Sequence, residues 1–182
     1  LRRGLDAGEF EMHYQPIVAL DGGRIAGFEA LMRWQKDDGY VSPGEFIPLA
    51  EATGLIVELG RFALETGLDD QKRFLGDFAQ AFPDLPTPFM SVNVSGLQLS
   101  DMEEIDLLAG IIDQSGADPA TVKLEITESL MMEDPDHAAD ALKRLKDLGV
   151  LIAIDDFGTG YSSLSYLHQF PLDTLKIDRA FV

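Results

Sequence analysis

Short apolar stretches with strand character alternate with longer helix-periodic stretches along this chain, and several of the short ones end on an acid or an amide. That alternation is the strongest restriction on its fold. Strands are predicted at Glu11–Val18, Arg24–Trp34, Phe89–Ser95, Val122–Ile126, Val150–Asp155 and Thr174–Ile177. Apolar residues at helical spacing mark Pro48–Thr53, Glu58–Gln80 and Glu103–Ser115, the last followed by Gly116 as a stop. A further helix opens at Asp134-Pro135, with the aspartate as cap and the proline in the first turn, and Gly149 terminates it. Strands that alternate with helices argue for a parallel sheet covered by helices, and right-handed crossovers can roll such a sheet into a barrel.

The polar strand ends share a phase. Side chains alternate between the two faces of a strand. Glu29 lies with Leu31 and Arg33, opposite Phe28, Ala30 and Met32. Asn93 lies with Ser91 and Ser95, opposite Val92 and Val94. Glu125 opposes Leu124 and Ile126, Asp155 opposes Ile152 and Ile154, and Lys176 opposes Leu175 and Ile177. In each strand the apolar partners can face outer helices while the polar residue faces the barrel interior. A (β/α) barrel carries its active site at the C-terminal ends of its strands.

Carboxylates and one amide, with no cysteine and no nearby histidine, make a hard-oxygen donor set suited to Mg²⁺, Mn²⁺ or Ca²⁺. Asp155 and Asp156 would point to opposite faces of an ideal strand, but a turn at the strand end lets both reach one site. So many acids together repel unless about two cations lie among them. Two metals ~3.5–4 Å apart suit in-line displacement at phosphorus. Lys176 beside such cations would have a lowered pKa and could orient or deprotonate a water. It could equally neutralise a phosphate or serve as a buried ion-pair partner. Arg33 offers a fork that fits phosphate oxygens.

Other features read as structural. His13, His137 and His168 have no ligand spacing, and Phe62, Phe74 and Phe78 read as core. Asp156-Phe157-Gly158-Thr159-Gly160-Tyr161-Ser162-Ser163 is glycine-rich but lacks the lysine and spacing of a P-loop. It reads as a mobile loop with glycine hinges. Pro83, Pro86 and Pro88 mark a connector inside one domain.

At 182 residues the chain suffices for one hydrophobic core, and its 46% apolar content excludes disorder. No run reaches the ~18 apolar residues of a membrane span, and no secretory signal precedes the first strand. The lack of an initiator Met reads as a domain cut from a longer protein. The absence of cysteine fits a reducing, cytoplasmic compartment. A net charge of −18 disfavours DNA or RNA, whose binding needs clustered lysine and arginine. An anionic small molecule could bind where cations reverse the local field.

Glu29-Ala30-Leu31 is the signature of EAL domains, the bacterial cyclic di-GMP phosphodiesterases, and the resemblance runs from Leu1 to Val182. Tyr14-Gln15-Pro16-Ile17-Val18, FEALMRW, Pro43 to Phe46, IPLAEATG, VNVS, LEITES, DDFGTGYSSL and LKID resemble the family's motifs in the family's order. The resemblance implies an α/β, TIM-like (β/α)8-type barrel with one antiparallel strand. It implies hydrolysis of cyclic di-GMP to linear pGpG with two ions of Mg²⁺ or Mn²⁺. By motif, Glu29, Asn93, Glu125 and Asp155 would hold one metal, and Asp155 with Asp156 the other. Lys176 would contact the attacking water. Gln15, Leu31 and Arg33 would contact the dinucleotide. Glu128 would anchor the loop from Phe157 to Ser163, although its position also fits a helix N-terminal acid. A homodimer is implied, as are sensory, receiver or GGDEF domains in the parent, whose membrane anchoring is left open.

The family domain is longer than this chain, so residues 1–182 would be an EAL domain without its closing strands and one further glutamate. A receptor that binds cyclic di-GMP without cleaving it, or a protein-interaction module, is the alternative. Such receptors usually lack several ligands, and within its span this chain lacks none.

Overall fold

The computed structural model describes residues 1–128, 134–158 and 168–181. Its strands are β1 (Phe10–Val18), β2 (Ile25–Lys36), β3 (Gly39–Val41), β4 (Phe89–Asn93), β5 (Val122–Thr127), β6 (Leu151–Phe157) and β7 (Thr174–Ile177). Its helices are α1 (Arg2–Asp6), α2 (Pro43–Ala52), α3 (Ile56–Ala81), α4 (Gly96–Leu99), α5 (Met102–Ser115) and α6 (Pro135–Lys146). One seven-stranded sheet runs in the order β1-β2-β4-β5-β6-β7, with β3 paired on β2. β4 to β7 pair in parallel from β2 onward, while β1 is antiparallel to β2. β1 is the antiparallel strand expected of the barrel class, and β3 adds a second, short one. Among the described residues the sheet is an open arc.

The arc is strongly curved. Four interstrand gaps of about 4.8 Å would put β2 and β7 roughly 19 Å apart in a flat sheet. Lys176 of β7 nevertheless reaches Glu29 of β2 at 3.2 Å. The concave face therefore brings together strand ends that are distant along the sheet.

The convex face carries the core. Ala30, Met90, Val92, Leu124, Ile126, Ile152 and Ile154 form one cluster with Ala63, Leu64 and Leu68 of α3, Ile105, Leu108 and Ile112 of α5, and Ala141, Leu142 and Leu145 of α6. Phe28 and Met32 pack against it, in the phase expected from the sequence. A second cluster joins Phe10, Phe46, Ala50, Ile56 and Leu59 at the foot of α2 and α3.

Helix ends follow local chemistry. Asp134 accepts from the His137 N–H at 3.1 Å with Pro135 at the first turn, as predicted. Gly116 and Gly149 adopt φ of 71° and 94°, left-handed values that stop α5 and close the turn after α6.

Four expectations need correction. α1 and β3 are absent from the sequence reading, because five and three residues are too few to show a period. α2 starts at Pro43, where a proline at the first position removes no helical bond, and it runs on through Pro48, which forgoes its bond to the Gly44 carbonyl. Phe74 is not core: it stands exposed on α3, edge-on to Tyr14 at 5.1 Å. Leu175 and Ile177 were expected against outer helices but are 45% and 64% exposed, because no described helix covers that side of β7.

Candidate active site

Three carboxylates, Glu29, Glu125 and Asp155, offer oxygens that all lie within 4.8 Å of one another. Glu29 comes from the stretch of β2 that pairs with β4, and Glu125 and Asp155 from the C-terminal halves of β5 and β6, on the concave face. The Lys176 Nζ enters from β7 and donates to Asp155 Oδ2 at 3.1 Å, to Glu29 Oε2 at 3.2 Å and to Glu125 Oε2. Asn93, at the end of β4, donates from Nδ2 to Glu29 Oε1 at 3.3 Å. The structure thus gathers Glu29, Asn93, Glu125, Asp155 and Lys176 at one place.

Asp156 reaches this edge by a local irregularity. The β6–β7 register shifts between Ile154 and Phe157, and Asp156 takes φ of 54°. Its N–H donates to Asp155 Oδ1 at 3.0 Å. A left-handed, non-glycine residue is energetically unfavourable and persists only where its surroundings impose it. The chain thus turns at the paired aspartates, and of the two it is Asp155 whose carboxylate converges with Glu29 and Glu125.

A cleft of about 320 Å³ adjoins the acids. Leu31 and Arg33 line it, together with Asn93, Glu125, Ile47 and Gln98. Gln15 is exposed on β1 and pairs with Glu29 across the antiparallel ladder, so both side chains share a face. Glu128 is buried and its Oε2 accepts from the Gly158 N–H at 2.8 Å. That places it at the start of the loop it was expected to anchor; residues 159–163 of that loop lie outside the described residues.

Burial lowers the Lys176 pKa, but hydrogen bonding and attraction from Glu125, with attraction from Glu29 and the Asp155 hydrogen bond, outweigh it and hold the group well above the ordinary lysine value. Three acids share one ammonium, which leaves a surplus of two negative charges. Glu125 is 1% exposed: burial pushes its carboxyl up, and hydrogen bonds from Lys176 and Ser91 only partly oppose that. Burial, followed by the charges of Asp155 and Asp178, also raises Asp156.

The donor set suits a hard divalent cation: carboxylate oxygens converge, and the amide oxygen of Asn93 belongs to the side chain already turned toward them. Glu29, Asn93, Glu125 and Asp155 would hold one ion, and Asp155 and Asp156 a second.

The sequence reading assigned no role to Ser91, Asp178 or Gln98. Ser91 Oγ donates to Glu125 Oε1, and Asp178 shares a hydrogen bond with Asp156. Ser91 was legible through its phase with Asn93, and Asp178 through its place in LKID.

This parallel sheet, with its acids at the strand ends, matches a known class. The EAL domain family model matches residues 1–182, and the chain belongs to that family. It is 40% identical, over its whole length, to the bifunctional diguanylate cyclase/cyclic di-GMP phosphodiesterase MucR of Pseudomonas aeruginosa, of which it covers 26%. Over 99% of the chain it superposes on the PaMucR phosphodiesterase in a c-di-GMP complex, with a TM-score of 0.89, 40% identity and 71% of that chain covered. Against the EAL enzyme Bd1971 in its cGMP-bound form, the TM-score is 0.91 at 36% identity, over 99% of this chain and 49% of that one. The chain spans about a quarter of the length of the curated relatives it matches. Among the described residues no helix is long and apolar enough to cross a membrane.

Proposed function

We propose that residues 1–182 belong to the catalytic domain of a metal-dependent phosphodiesterase that opens cyclic di-GMP to linear pGpG. The observation that carries this reading is the convergence of Glu29, Glu125 and Asp155 around Lys176. PaMucR, a 40% identical relative, is a phosphodiesterase with a c-di-GMP complex, which supports the substrate. Mg²⁺ or Mn²⁺, when bound, supplies charge neutralisation at phosphorus and a more acidic water. Arg33, in the cleft beside Asn93, pairs with a phosphate oxygen through its guanidinium. Leu31 and Ile47 provide apolar cleft wall for the dinucleotide, and Gln15, across from Glu29, contacts its outer edge. Lys176 holds the attacking water by donating one hydrogen, or neutralises the phosphate it attacks. The water oxygen bonds to phosphorus, the bond to the sugar 3′-oxygen breaks, and that oxygen leaves with a proton as the 3′-hydroxyl of pGpG. The domain works on the cytoplasmic side, functions as a homodimer, and is joined in its parent to regulatory domains such as a GGDEF domain.

The test is turnover of cyclic di-GMP with Mg²⁺ and with Mn²⁺, on this chain and on the full-length parent. Cleavage by the parent that disappears on chelation and in Glu29→Ala is the expected result. Tight binding without cleavage by the parent would replace the enzyme with a receptor. Metal-dependent turnover that survives Glu29→Ala would remove that carboxylate from the ligand set.

A further inference from the structure

A second polar cluster lies behind Asn93, and the chemistry above does not use it. Gln98 is 1% exposed, yet it lines the cleft. Its Oε1 accepts from the Ser95 N–H at 3.1 Å and from Ser95 Oγ at 3.1 Å. Its Nε2 donates to Glu104 Oε1 at 3.4 Å. Glu104, 3% exposed, is held in turn by Arg61 Nε at 2.9 and 3.0 Å. α3 comes close enough that a Cβ on Gly60 would stand 2.3 Å from Gln98 Oε1 and 2.5 Å from Nε2. Every polar atom of the Gln98 side chain is therefore engaged, and the space around it fits the amide alone.

This cluster bears on Asn93 through a very short path. Only Val94 separates Asn93 from Ser95, and the Val94 N–H donates to the Glu125 carbonyl at 2.8 Å. α4, four residues long, is too short to orient itself. Its direction comes from the reciprocal bonds between Ser95 and Gln98. Without the Gln98 amide, Ser95 loses the acceptor for its N–H and its hydroxyl two residues from Asn93.

We propose that Gln98 is a positioning residue for Asn93: its buried amide, held by the Glu104–Arg61 pair and given room by Gly60, clamps the turn that aims Asn93 at the acids. The consequence for metal affinity rests on the reading of Asn93 as a ligand; the positioning itself does not.

Two variants break the clamp in different ways. Gln98→Met keeps the length and removes the amide. Gly60→Ala leaves every polar group in place and displaces the amide, although alanine in a helix ordinarily stabilises it. The double exchange Gln98→Glu with Glu104→Gln restores an acceptor toward Ser95 and a donor between the two side chains. If Gln98→Met fails to fold, Glu104→Gln takes its place. Two readouts are needed: the side-chain amide signals of Asn93 in the ¹⁵N-labelled, metal-free chain, and the Mn²⁺ concentration for half-saturation. Both single variants are expected to move the Asn93 signals and raise half-saturation about tenfold, as loss of an outer-shell partner does. The double exchange is expected to return both toward the starting values. Unmoved Asn93 signals in the folded variants would overturn the positioning role whatever the chain does with metal. Moved signals in a chain whose parent sequence takes up no Mn²⁺ would uphold that role and overturn the reading of Asn93 as a ligand.

Discussion

Lys176 carries one positive charge among three carboxylates, and the surplus negative charge decides what its loss would do. Lys176→Met leaves Glu29, Glu125 and Asp155 facing one another. Breaking a buried pair by removing one partner costs about 3–5 kcal/mol, and the partial exposure of Lys176 reduces that to about 2 kcal/mol. For a chain of this size the metal-free variant should melt roughly 4–8 °C lower. Mn²⁺ should close most of the gap, because a divalent cation supplies the missing charge. Turnover should still fall by about 10²–10⁴-fold, the range for loss of a proton-handling group. An equal melting deficit with and without Mn²⁺ would show that the lysine and the cation do not share one site.

At the level of elements, Asp173 ties three of them together. Its carboxylate accepts from Lys146 Nζ at 2.6 and 2.8 Å, at the end of α6, and from the Ile152 N–H at 2.8 Å, in β6. Its own N–H returns to the Ile152 carbonyl at 2.9 Å, so it sets β7 against β6 just before Lys176. Burial raises its pKa, but the Lys146 and Ile152 hydrogen bonds and the lysine charges outweigh that, and the net shift is downward. A carboxylate lowered in the folded state contributes its stability above its unfolded pKa, about 3.9, and loses it as pH falls through the folded value. Asp173→Asn should therefore cost about 1–2 kcal/mol at neutral pH. The difference from the parent sequence should hold above about pH 5 and shrink below about pH 4. A difference independent of pH in thermal melts across that window would remove the charge from the explanation.

The whole molecule shows why some of the site was legible and some was not. Glu29, Asn93, Glu125, Asp155 and Lys176 could be read because each breaks an apolar strand at the position where the alternation turns inward. The curvature that joins β2 to β7 follows from the same pattern, since one face is apolar and covered by α3, α5 and α6. Asp156 was readable only as an exception, because its φ of 54° belongs to no strand period. The clamp of Gln98, Glu104 and Arg61 was hidden, since it depends on α3 meeting α5 across 43 residues of chain. The exposed Leu175 and Ile177 were misread because periodicity reports which face is apolar, not what covers it. The contact from Lys176 to Glu29 spans 147 residues, so its closure needs almost the entire chain to be in place. Contacts of such separation carry a large loop-closure penalty and form after local ones. The cage is then a late event on the folding path, and Lys176→Met should speed unfolding while leaving the refolding rate nearly unchanged, as stopped-flow kinetics would reveal. A nascent or partly melted chain has its helices before it has its acids assembled, and the finished site arrives last and is lost first.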